Sequence, residues 1–288
     1  MIPGVDNDSI VYLNGDYVRL GDAKISVLDR GFIFGDGIYE VVPCYGGKPF
    51  LMQNHLARLQ RSLKAIRLET GRGIADWEAL VADMLSRSGA RGDCSVYLQV
   101  TRGVAKRDHG FPADSQATVF CMVSPLKRPN AHKRGQGMTA VSMPDERWLH
   151  CEIKSVSLLG NVLAKQYAAD AGVDEVLQFR DGNLSEGSSC NIWVVKNGVM
   201  RAPVRDNLIL EGIRYGFLEQ LAADAGIPFE SRPIPKAEVA EADELMLSSA
   251  TKEVLPITQY DGRPVGSGTP GPVYARLRAA YDQAIAAL

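Results

Sequence analysis

The sequence predicts a two-domain α+β fold in which β-hairpins and amphipathic helices follow one another irregularly. At 288 residues the chain is long enough to bury two hydrophobic cores of ordinary size. Short apolar runs joined by dipeptides such as Asn14-Gly15 indicate hairpins, because asparagine and glycine tolerate the positive φ angles of a two-residue turn. Elsewhere, leucines and isoleucines recur at helical spacing, and the irregular mixture argues against regular βαβ alternation.

Strands dominate the predicted N-terminal domain, residues 1–126. Its first hairpin pairs residues 10–13 with 16–18, and a longer strand at 38–45 turns back through Gly46-Gly47. Apolar residues at positions 56, 59, 63 and 66 then predict a helix. The remaining predicted elements of this domain are strands at residues 96–100 and 118–123.

A polar, basic segment broken by proline, residues 127–135, predicts the interdomain linker. Residues 136–288 are expected to form a C-terminal domain that is rich in strands. A strand at 138–142 precedes a helix at 158–171, and hairpins turn at Asp181-Gly182 and Asn197-Gly198. Further helices at 211–225 and 273–287 enclose a segment, 242–256, that combines an apolar strand with a Ser/Thr-rich loop.

The composition indicates a protein whose partner is a small molecule. The chain is 45% hydrophobic and 23% charged, with a formal net charge of -2. That balance provides no attraction to nucleic acid or to an anionic membrane surface. We therefore expect neither as a partner.

The five cysteines predict reduced thiols in the cytoplasm. They are odd in number and widely spaced, and they form no C-x-x-C pair and no short Cys/His ligand spacing. We accordingly expect no metal site. The N-terminus shows no basic and apolar signal sequence, and no later apolar run is long enough to span a bilayer.

Lys154 is the first candidate for chemistry. It lies in Cys151-Glu152-Ile153-Lys154-Ser155-Val156, directly before an apolar helix. Hydrophobic neighbours disfavour the ammonium form of a lysine, and a neutral amine is what Schiff-base chemistry requires. The alternative is a lysine that extends from a strand end into solvent, which is the commoner role of a single lysine.

Glu186 is the second candidate. The segment Asn183-Leu184-Ser185-Glu186-Gly187-Ser188-Ser189-Cys190-Asn191 places one acid beside a hydroxyl-rich turn. A carboxylate beside a pyridine nitrogen keeps that nitrogen protonated and makes the ring an electron sink. The alternative is a solvated turn glutamate, and only the combination with Lys154 favours the catalytic interpretation.

Taken together, these segments resemble the fold-type IV (class IV) pyridoxal-phosphate enzymes. The resemblance covers nearly the whole chain and is densest at residues 29–41, 151–166 and 183–193. It implies a smaller α/β N-terminal domain and a larger β-barrel-like C-terminal domain. It also implies that Lys154 carries pyridoxal 5'-phosphate (PLP) and shuttles the proton, and that Glu186 contacts the pyridine nitrogen.

The resemblance also assigns a phosphate cradle. Arg58 matches the family's phosphate-binding arginine, and Gly212-Ile213 matches a helix start whose amide N–H groups face the anion. The third element is the loop Ser249-Ala250-Thr251, from which Ala250 and Thr251 are expected to contact the cofactor. Two positions depart from the family's D-amino-acid enzymes, since Arg214 and Ala250 stand where hydroxyl residues are expected.

Substrate selection is expected from Arg107 and His109. Residues two apart in an extended loop project to one side, where an arginine fork and a histidine donor can share one carboxylate. A solvent-exposed basic loop is the alternative. In the family, this Arg-x-His pair is similar to the carboxylate trap of D-amino-acid transaminases, which reaches into the neighbouring subunit and implies a homodimer.

Two tyrosines complete the predicted pocket. Tyr39 matches a tyrosine beside the cofactor and the substrate, and Tyr97 matches a second one that lines the substrate side. Buried tyrosines on strands are also common core residues. Gln99 occupies a position where branched-chain transaminases tend to carry arginine, which counts against an L-branched-chain enzyme.

The resemblance therefore implies a transaminase that transfers an amino group from a D-amino acid to a 2-oxo acid such as 2-oxoglutarate or pyruvate. Three alternatives remain open. An L-selective or branched-chain transaminase shares the cofactor site, and an aminodeoxychorismate lyase releases pyruvate without an acceptor. A cofactor-binding protein without turnover is the third, although the retained Lys154 argues against it.

Overall fold

The chain, described by a computed structural model over residues 5–288, divides into two compact units. The first unit runs to Lys127 and also includes Ile153–Leu158. The second unit comprises Arg128–Glu152 and Leu159–Leu288. Residues 127–135, the predicted linker, contain most of a short helix, α4 (Ala131–Gln136). The predicted domain boundaries, with an N-terminal domain that ends at residue 126 and a C-terminal domain that begins at residue 136, stay a prediction.

An antiparallel sheet of six strands forms the frame of the first unit. Its order is β2-β1-β6-β5-β3-β4. The predicted first hairpin is confirmed, because β1 pairs with β2 around Asn14-Gly15, where both residues have positive φ. The strands are β1 (Ile10–Leu13), β2 (Asp16–Arg19), β3 (Gly37–Tyr45), β4 (Lys48–Pro49), β5 (Cys94–Thr101) and β6 (Thr118–Pro125).

Two long helices cover this sheet. The predicted helical periodicity is confirmed by α2 (Met52–Ala65), whose residues Leu56, Leu59 and Leu63 are buried in one core with the apolar residues of β3 and β5. Burial of such side chains contributes about 1.5–3 kcal/mol each. The other helices of the unit are the short α1 (Arg30–Phe34) and α3 (Ile74–Ser88), and a 3-10 turn covers Leu20–Asp22.

The second unit is built on a sheet of nine strands that must curl. Strands β9 and β10 are joined by residues 188–190 alone, yet four strands separate them in the order β12-β11-β10-β13-β14-β7-β8-β9. In a flat sheet they would lie about 24 Å apart, whereas that connection spans at most about 14 Å. The strands are β7 (Met138–Pro144), β8 (Glu175–Arg180), β9 (Asn183–Gly187), β10 (Asn191–Lys196), β11 (Val199–Ala202), β12 (Phe229–Ser231), β13 (Glu244–Ser249), β14 (Glu253–Tyr260) and β15 (Arg263–Pro264).

Helices of this unit pack on the curled sheet. Besides α4, they are α5 (Leu159–Asp170), α6 (Ile213–Asp224), α7 (Lys236–Ala240) and α8 (Pro272–Ala286). The predicted helices at 158–171, 211–225 and 273–287 correspond to α5, α6 and α8, whereas α4 and α7 were not predicted. The mixture of largely antiparallel sheets and separate helices confirms the predicted α+β class. Within residues 5–288, none of the helices has the length and apolar character needed to cross a bilayer.

Candidate active site

Lys154 lies in an extended segment that is tied to β3 and α2 of the first unit. Its backbone N–H donates to Oγ of Ser62 over 3.3 Å, and its carbonyl accepts from the N–H of Tyr39 over 3.0 Å. Ser155 forms an isolated bridge with Ile38. These contacts place the ammonium nitrogen of Lys154 4.1 Å from the centre of the Tyr39 ring. The lysine is thus held by its backbone while its side chain lies against an aromatic face.

Tyr39 and Tyr97 form one aromatic surface beside Lys154. Their rings stack with centroids 5.7 Å apart, from neighbouring strands β3 and β5. The Tyr97 hydroxyl donates to Oε1 of Gln99 over 2.6 Å. Burial raises the pKa of Tyr97 to about 12, and the nearby Tyr39 adds to the shift. Tyr97 therefore keeps its proton at neutral pH, and that proton is the one donated to Gln99.

Arg58, the predicted phosphate ligand, is held by a buried carboxylate. On α2 it lies one turn before Ser62, on the face that meets Lys154. Nε and Nη2 of Arg58 donate to the two oxygens of Glu40 over 2.6 and 2.9 Å. His55 contacts the same carboxylate through Nδ1 at 2.8 Å. The sequence analysis did not identify Glu40 or His55, although both lie within segments it examined.

Replacement of Glu40 by glutamine should destabilise the protein and reduce its sensitivity to acid. Burial opposes ionisation of Glu40, but the Arg58 guanidinium and the His55 ring outweigh burial and hold its pKa well below the usual 4.5. The stabilisation from this carboxylate is therefore complete above about pH 4.5 and is lost as pH falls towards the folded-state pKa. Removing one partner of such a buried group costs about 3 kcal/mol.

Urea unfolding of the cofactor-free protein at about pH 5 and about pH 4 measures both effects. Between those values the wild type should lose about 0.7 kcal/mol more free energy of unfolding than Glu40→Gln does. Equal losses in the two proteins would show that Glu40 does not have a depressed pKa.

Glu186 lies on β9 of the second unit and is buried. Its carboxylate accepts a hydrogen bond from the guanidinium of Arg147 through Oε1, and from the N–H of Leu210 over 3.2 Å through Oε2. Burial raises the pKa of Glu186, and the Arg147 cation acts in the opposite direction. A bound cationic N–H group beside this carboxylate would favour its ionised form in the same way.

Arg147 is itself fixed by a second acid. Asp145 accepts from Nη2 of Arg147 over 2.8 Å, and it also pairs with Arg180 at 3.2 Å and accepts from the Ser185 hydroxyl over 2.7 Å. The chain of charges from Asp145 through Arg147 to Glu186 is nearly all buried. Sequence analysis missed Asp145 and Arg147. The only available signal was their Asp-x-Arg spacing, which is too common to be informative.

Gly212 is the N-cap residue of α6 and lies where no side chain fits. A Cβ atom there would overlap Oδ1 of Asn191, the first residue of β10. Because the N-cap residue is glycine, no side chain caps the first turn of α6 from this position, and the Ile213 segment offers backbone N–H groups to an anion. Asn191 also donates to the Leu210 carbonyl over 2.8 Å, which connects the helix start to the Glu186 contact.

The predicted loop at Ala250 and Thr251 is the turn between β13 and β14. Asn191 pairs with Ser248 in the sheet, so the turn begins beside the residue that packs against Gly212. Thr251 is exposed and Ala250 is partly buried. Arg214 is buried with its guanidinium 5.8 Å from the centre of the Tyr281 ring. What the start of α6 presents is therefore backbone rather than a hydroxyl.

Arg107 and His109 lie in an exposed loop after β5, and both contact one ring. The Arg107 guanidinium is 5.4 Å from the centre of the Phe34 ring, and the His109 ring centre is 5.3 Å from it. The predicted projection to one side thus agrees with the geometry. Phe34 was part of the family-like motif but was not identified as a site residue.

The described residues offer a suitable partner for each of three groups of PLP, the aldehyde, the pyridine nitrogen and the phosphate. Lys154 offers a primary amine for the aldehyde, and Glu186 offers a buried acceptor for the pyridine N–H. The start of α6 offers an uncapped helix terminus that excludes a Cβ and suits a phosphate.

Comparison with known proteins agrees with this chemistry. Residues 37–260 match the family described as Amino-transferase class IV. The chain belongs to the class IV aminotransferases. It is a PLP-dependent transaminase with the fold-type IV architecture that the sequence predicted.

Individual relatives support the assignment over nearly the full length. The chain is 36% identical over 276 residues to the D-alanine aminotransferase of Staphylococcus haemolyticus, covering 96% of this chain and 97% of that protein. It resembles the crystal structure of the Escherichia coli branched-chain amino acid aminotransferase with a TM-score of 0.91 and 25% identity, covering 96% and 94% of the two chains. It also resembles the crystal structure of the branched-chain aminotransferase of Thermoproteus uzoniensis with norvaline. The TM-score is 0.90 and the identity 25%, and the match covers 96% of this chain and 95% of that chain.

Proposed function

We propose that this class IV enzyme is a D-amino-acid transaminase of the D-alanine type. It would transfer the amino group of D-alanine to 2-oxoglutarate and yield pyruvate and D-glutamate. The observation that carries the D-selectivity is the pairing of Arg107 and His109 against Phe34, in a chain that matches D-alanine aminotransferases over nearly its whole length. The Arg107 guanidinium and the His109 ring both lie near the Phe34 ring, and their N–H groups suit the two oxygens of an α-carboxylate.

Each residue of the candidate site has a separate role in the proposed reaction. When bound, PLP supplies an electron-accepting ring that stabilises negative charge at the substrate Cα. The amine of Lys154 would hold the cofactor covalently, and once free it would move the α-proton of the substrate. Glu186, which bonds to Arg147, would keep a proton on the pyridine nitrogen. By the family resemblance, Arg58, the Gly212-Ile213 helix start and the Ala250-Thr251 turn would each contribute to phosphate binding.

Chirality follows from which face of Cα is turned towards Lys154. Arg107 and His109 would hold the carboxylate, and Tyr39 and Tyr97 would line the pocket, so that a D-substrate presents its α-proton to the lysine. Gln99 supports this proposal over an L-branched-chain activity, because its side chain accepts from Tyr97 and brings no cation to that position.

We further propose a cytoplasmic homodimer with a shared active site. One face of α5 carries exposed apolar side chains at helical spacing, Leu159, Leu163 and Tyr167, and Val162 lies beside them. Such a stripe suits a contact with a second copy of the chain, in which Arg107 and His109 serve the neighbouring subunit. The five thiols, buried and unpaired among the described residues, suit a reducing compartment.

Product chirality tests the proposed activity. Purified enzyme with PLP is incubated with D-alanine and 2-oxoglutarate, and the glutamate formed is resolved by chiral chromatography. D-Glutamate and equimolar pyruvate are expected. L-Glutamate, or activity with L-leucine that exceeds activity with D-alanine, would favour the branched-chain alternative. Pyruvate from aminodeoxychorismate without an acceptor would favour the lyase.

Replacement of Arg107 by alanine should raise KM for D-alanine about 10- to 100-fold and leave cofactor absorbance unchanged. The reason is the loss of a charge-assisted hydrogen bond to the carboxylate. Lys106→Ala is the matched control, since Lys106 is an exposed cation at the preceding position. An equal effect of both substitutions would reduce the role of Arg107 to general loop charge, and loss of cofactor with an unchanged KM would contradict the assignment.

A further inference from the structure

The loop that carries Arg107 and His109, residues 104–111, is attached to the segment that precedes α1. At its base, Val104 bridges Asp29, and the N–H of Ala105 donates to the Leu28 carbonyl over 3.3 Å. Gly103 turns the chain with a φ of 85°, at a point where a Cβ would overlap the Gln116 carbonyl oxygen. The base of the loop is thus fixed by backbone contacts, whereas residues 106–111 are exposed.

Arg30 reaches from α1 to the tip of this loop. The residue is only 3% exposed, and its guanidinium donates to two successive carbonyls of the loop, that of Asp108 over 2.5 Å and that of His109 over 3.3 Å. The third nitrogen of the guanidinium, Nε, donates to Oδ2 of Asp36 over 2.8 Å. The guanidinium also lies 4.9 Å from the centre of the Phe34 ring, the ring that Arg107 and His109 contact.

Asp36 connects Arg30 to a second buried arginine. Arg102 bonds to both oxygens of Asp36 over 2.8 and 3.0 Å, and its guanidinium lies 3.7 Å from the centre of the Phe111 ring at the end of the loop. Burial opposes ionisation of Asp36, but the two arginines outweigh burial and lower its pKa. The carboxylate therefore stays charged at neutral pH and keeps both guanidinium groups in place.

We propose that Arg30 is a positioning residue for substrate recognition, which sets the geometry of Arg107 and His109 by fixing the carbonyls of Asp108 and His109. This proposal rests on the proposed function, in which the loop binds the substrate carboxylate. An exposed loop that is ordered before substrate arrives does not lose further conformational freedom on binding. Arg30 would act through the peptide groups beside the two donors without touching the substrate.

Arg30→Gln and Arg30→Lys test the proposal in the PLP-loaded enzyme. Either substitution should raise KM for D-alanine about tenfold, with a smaller change in kcat and an unchanged cofactor spectrum. Lysine keeps the charge beside Asp36 but lacks the planar fork that reaches two carbonyls and a carboxylate together. Hydrogen exchange of the amides at residues 105–111 should become faster in both variants.

The control is Arg128→Gln, which removes another arginine that pairs with two carboxylates, Glu253 and Asp282, and should leave KM and loop exchange unchanged. Wild-type KM and wild-type loop exchange in both Arg30 variants, or full rescue by lysine, would overturn the proposal. If Arg30→Gln does not fold, the lysine variant decides. Failure of the proposed function is distinguishable, since the wild type would then not use D-alanine, while loop exchange would still report the anchoring.

Discussion

Lys154→Ala should lose transaminase turnover by about 10⁴-fold or more, because it removes the residue proposed both to attach PLP covalently and to move the α-proton. The backbone around residue 154 should be retained, since its contacts are made by main-chain atoms to Ser62 and Tyr39. The variant is therefore expected to fold normally and to bind PLP without the absorbance of the lysine-bound form.

Borohydride reduction followed by peptide mapping identifies the modified lysine directly. In the wild type the label should fall on Lys154, and in Lys154→Ala no stoichiometric label should appear. Lys165→Ala is a matched control, because Lys165 is an exposed lysine on the following helix whose ammonium bonds to a backbone carbonyl. Normal turnover by Lys154→Ala, or the label on another lysine in the wild type, would remove Lys154 from the mechanism.

Glu186→Gln should lower kcat about 10²- to 10³-fold, with a smaller change in KM for D-alanine. A glutamine amide is similar in shape but lacks the negative charge that is proposed to keep a proton on the pyridine nitrogen. The effect is expected to be large because Glu186 is buried and its charge is poorly screened. Steady-state kinetics and the pH dependence of the cofactor spectrum measure the two consequences separately.

The structural effect of Glu186→Gln must be separated from the catalytic one. Arg147 keeps Asp145 as a partner in the variant, so cofactor-free protein should remain folded, with a loss of about 1–3 kcal/mol in the free energy of unfolding. Glu152→Gln removes an exposed carboxylate and is the surface control. A kcat within about twofold of the wild type for Glu186→Gln would show that the pyridine nitrogen is not governed by this residue.

Secondary-structure elements that depend on local sequence patterns could be predicted from the sequence alone. The Asn14-Gly15 hairpin and helix α2 follow from turn chemistry and from periodicity, which are local properties. Helix α3 shows the same periodicity at Trp77, Leu80, Val81 and Met84, but the sequence analysis did not include it. The signal for α3 is therefore local and of the same kind as that for α2.

The residues that support the candidate site could not be found in this way. Arg147 bonds to Glu186, which lies 39 positions further along the sequence. Arg30 bonds to the carbonyl of Asp108, which lies 78 positions further along. Each is a single polar residue in a segment without periodic signal, and only the folded chain brings the two partners together. Motifs therefore identified the residues expected to contact cofactor and substrate, whereas their buried partners required coordinates.

The half-reaction with a single enantiomer tests the central claim most directly. Purified PLP-loaded enzyme is mixed with D-alanine or with L-alanine, without an acceptor, and the cofactor absorbance is followed. D-Alanine should convert the spectrum to that of pyridoxamine phosphate, and 2-oxoglutarate should then restore it, while L-alanine should leave it unchanged. Conversion by L-alanine alone would contradict the D-selectivity, and no conversion by either enantiomer would contradict the D-alanine assignment.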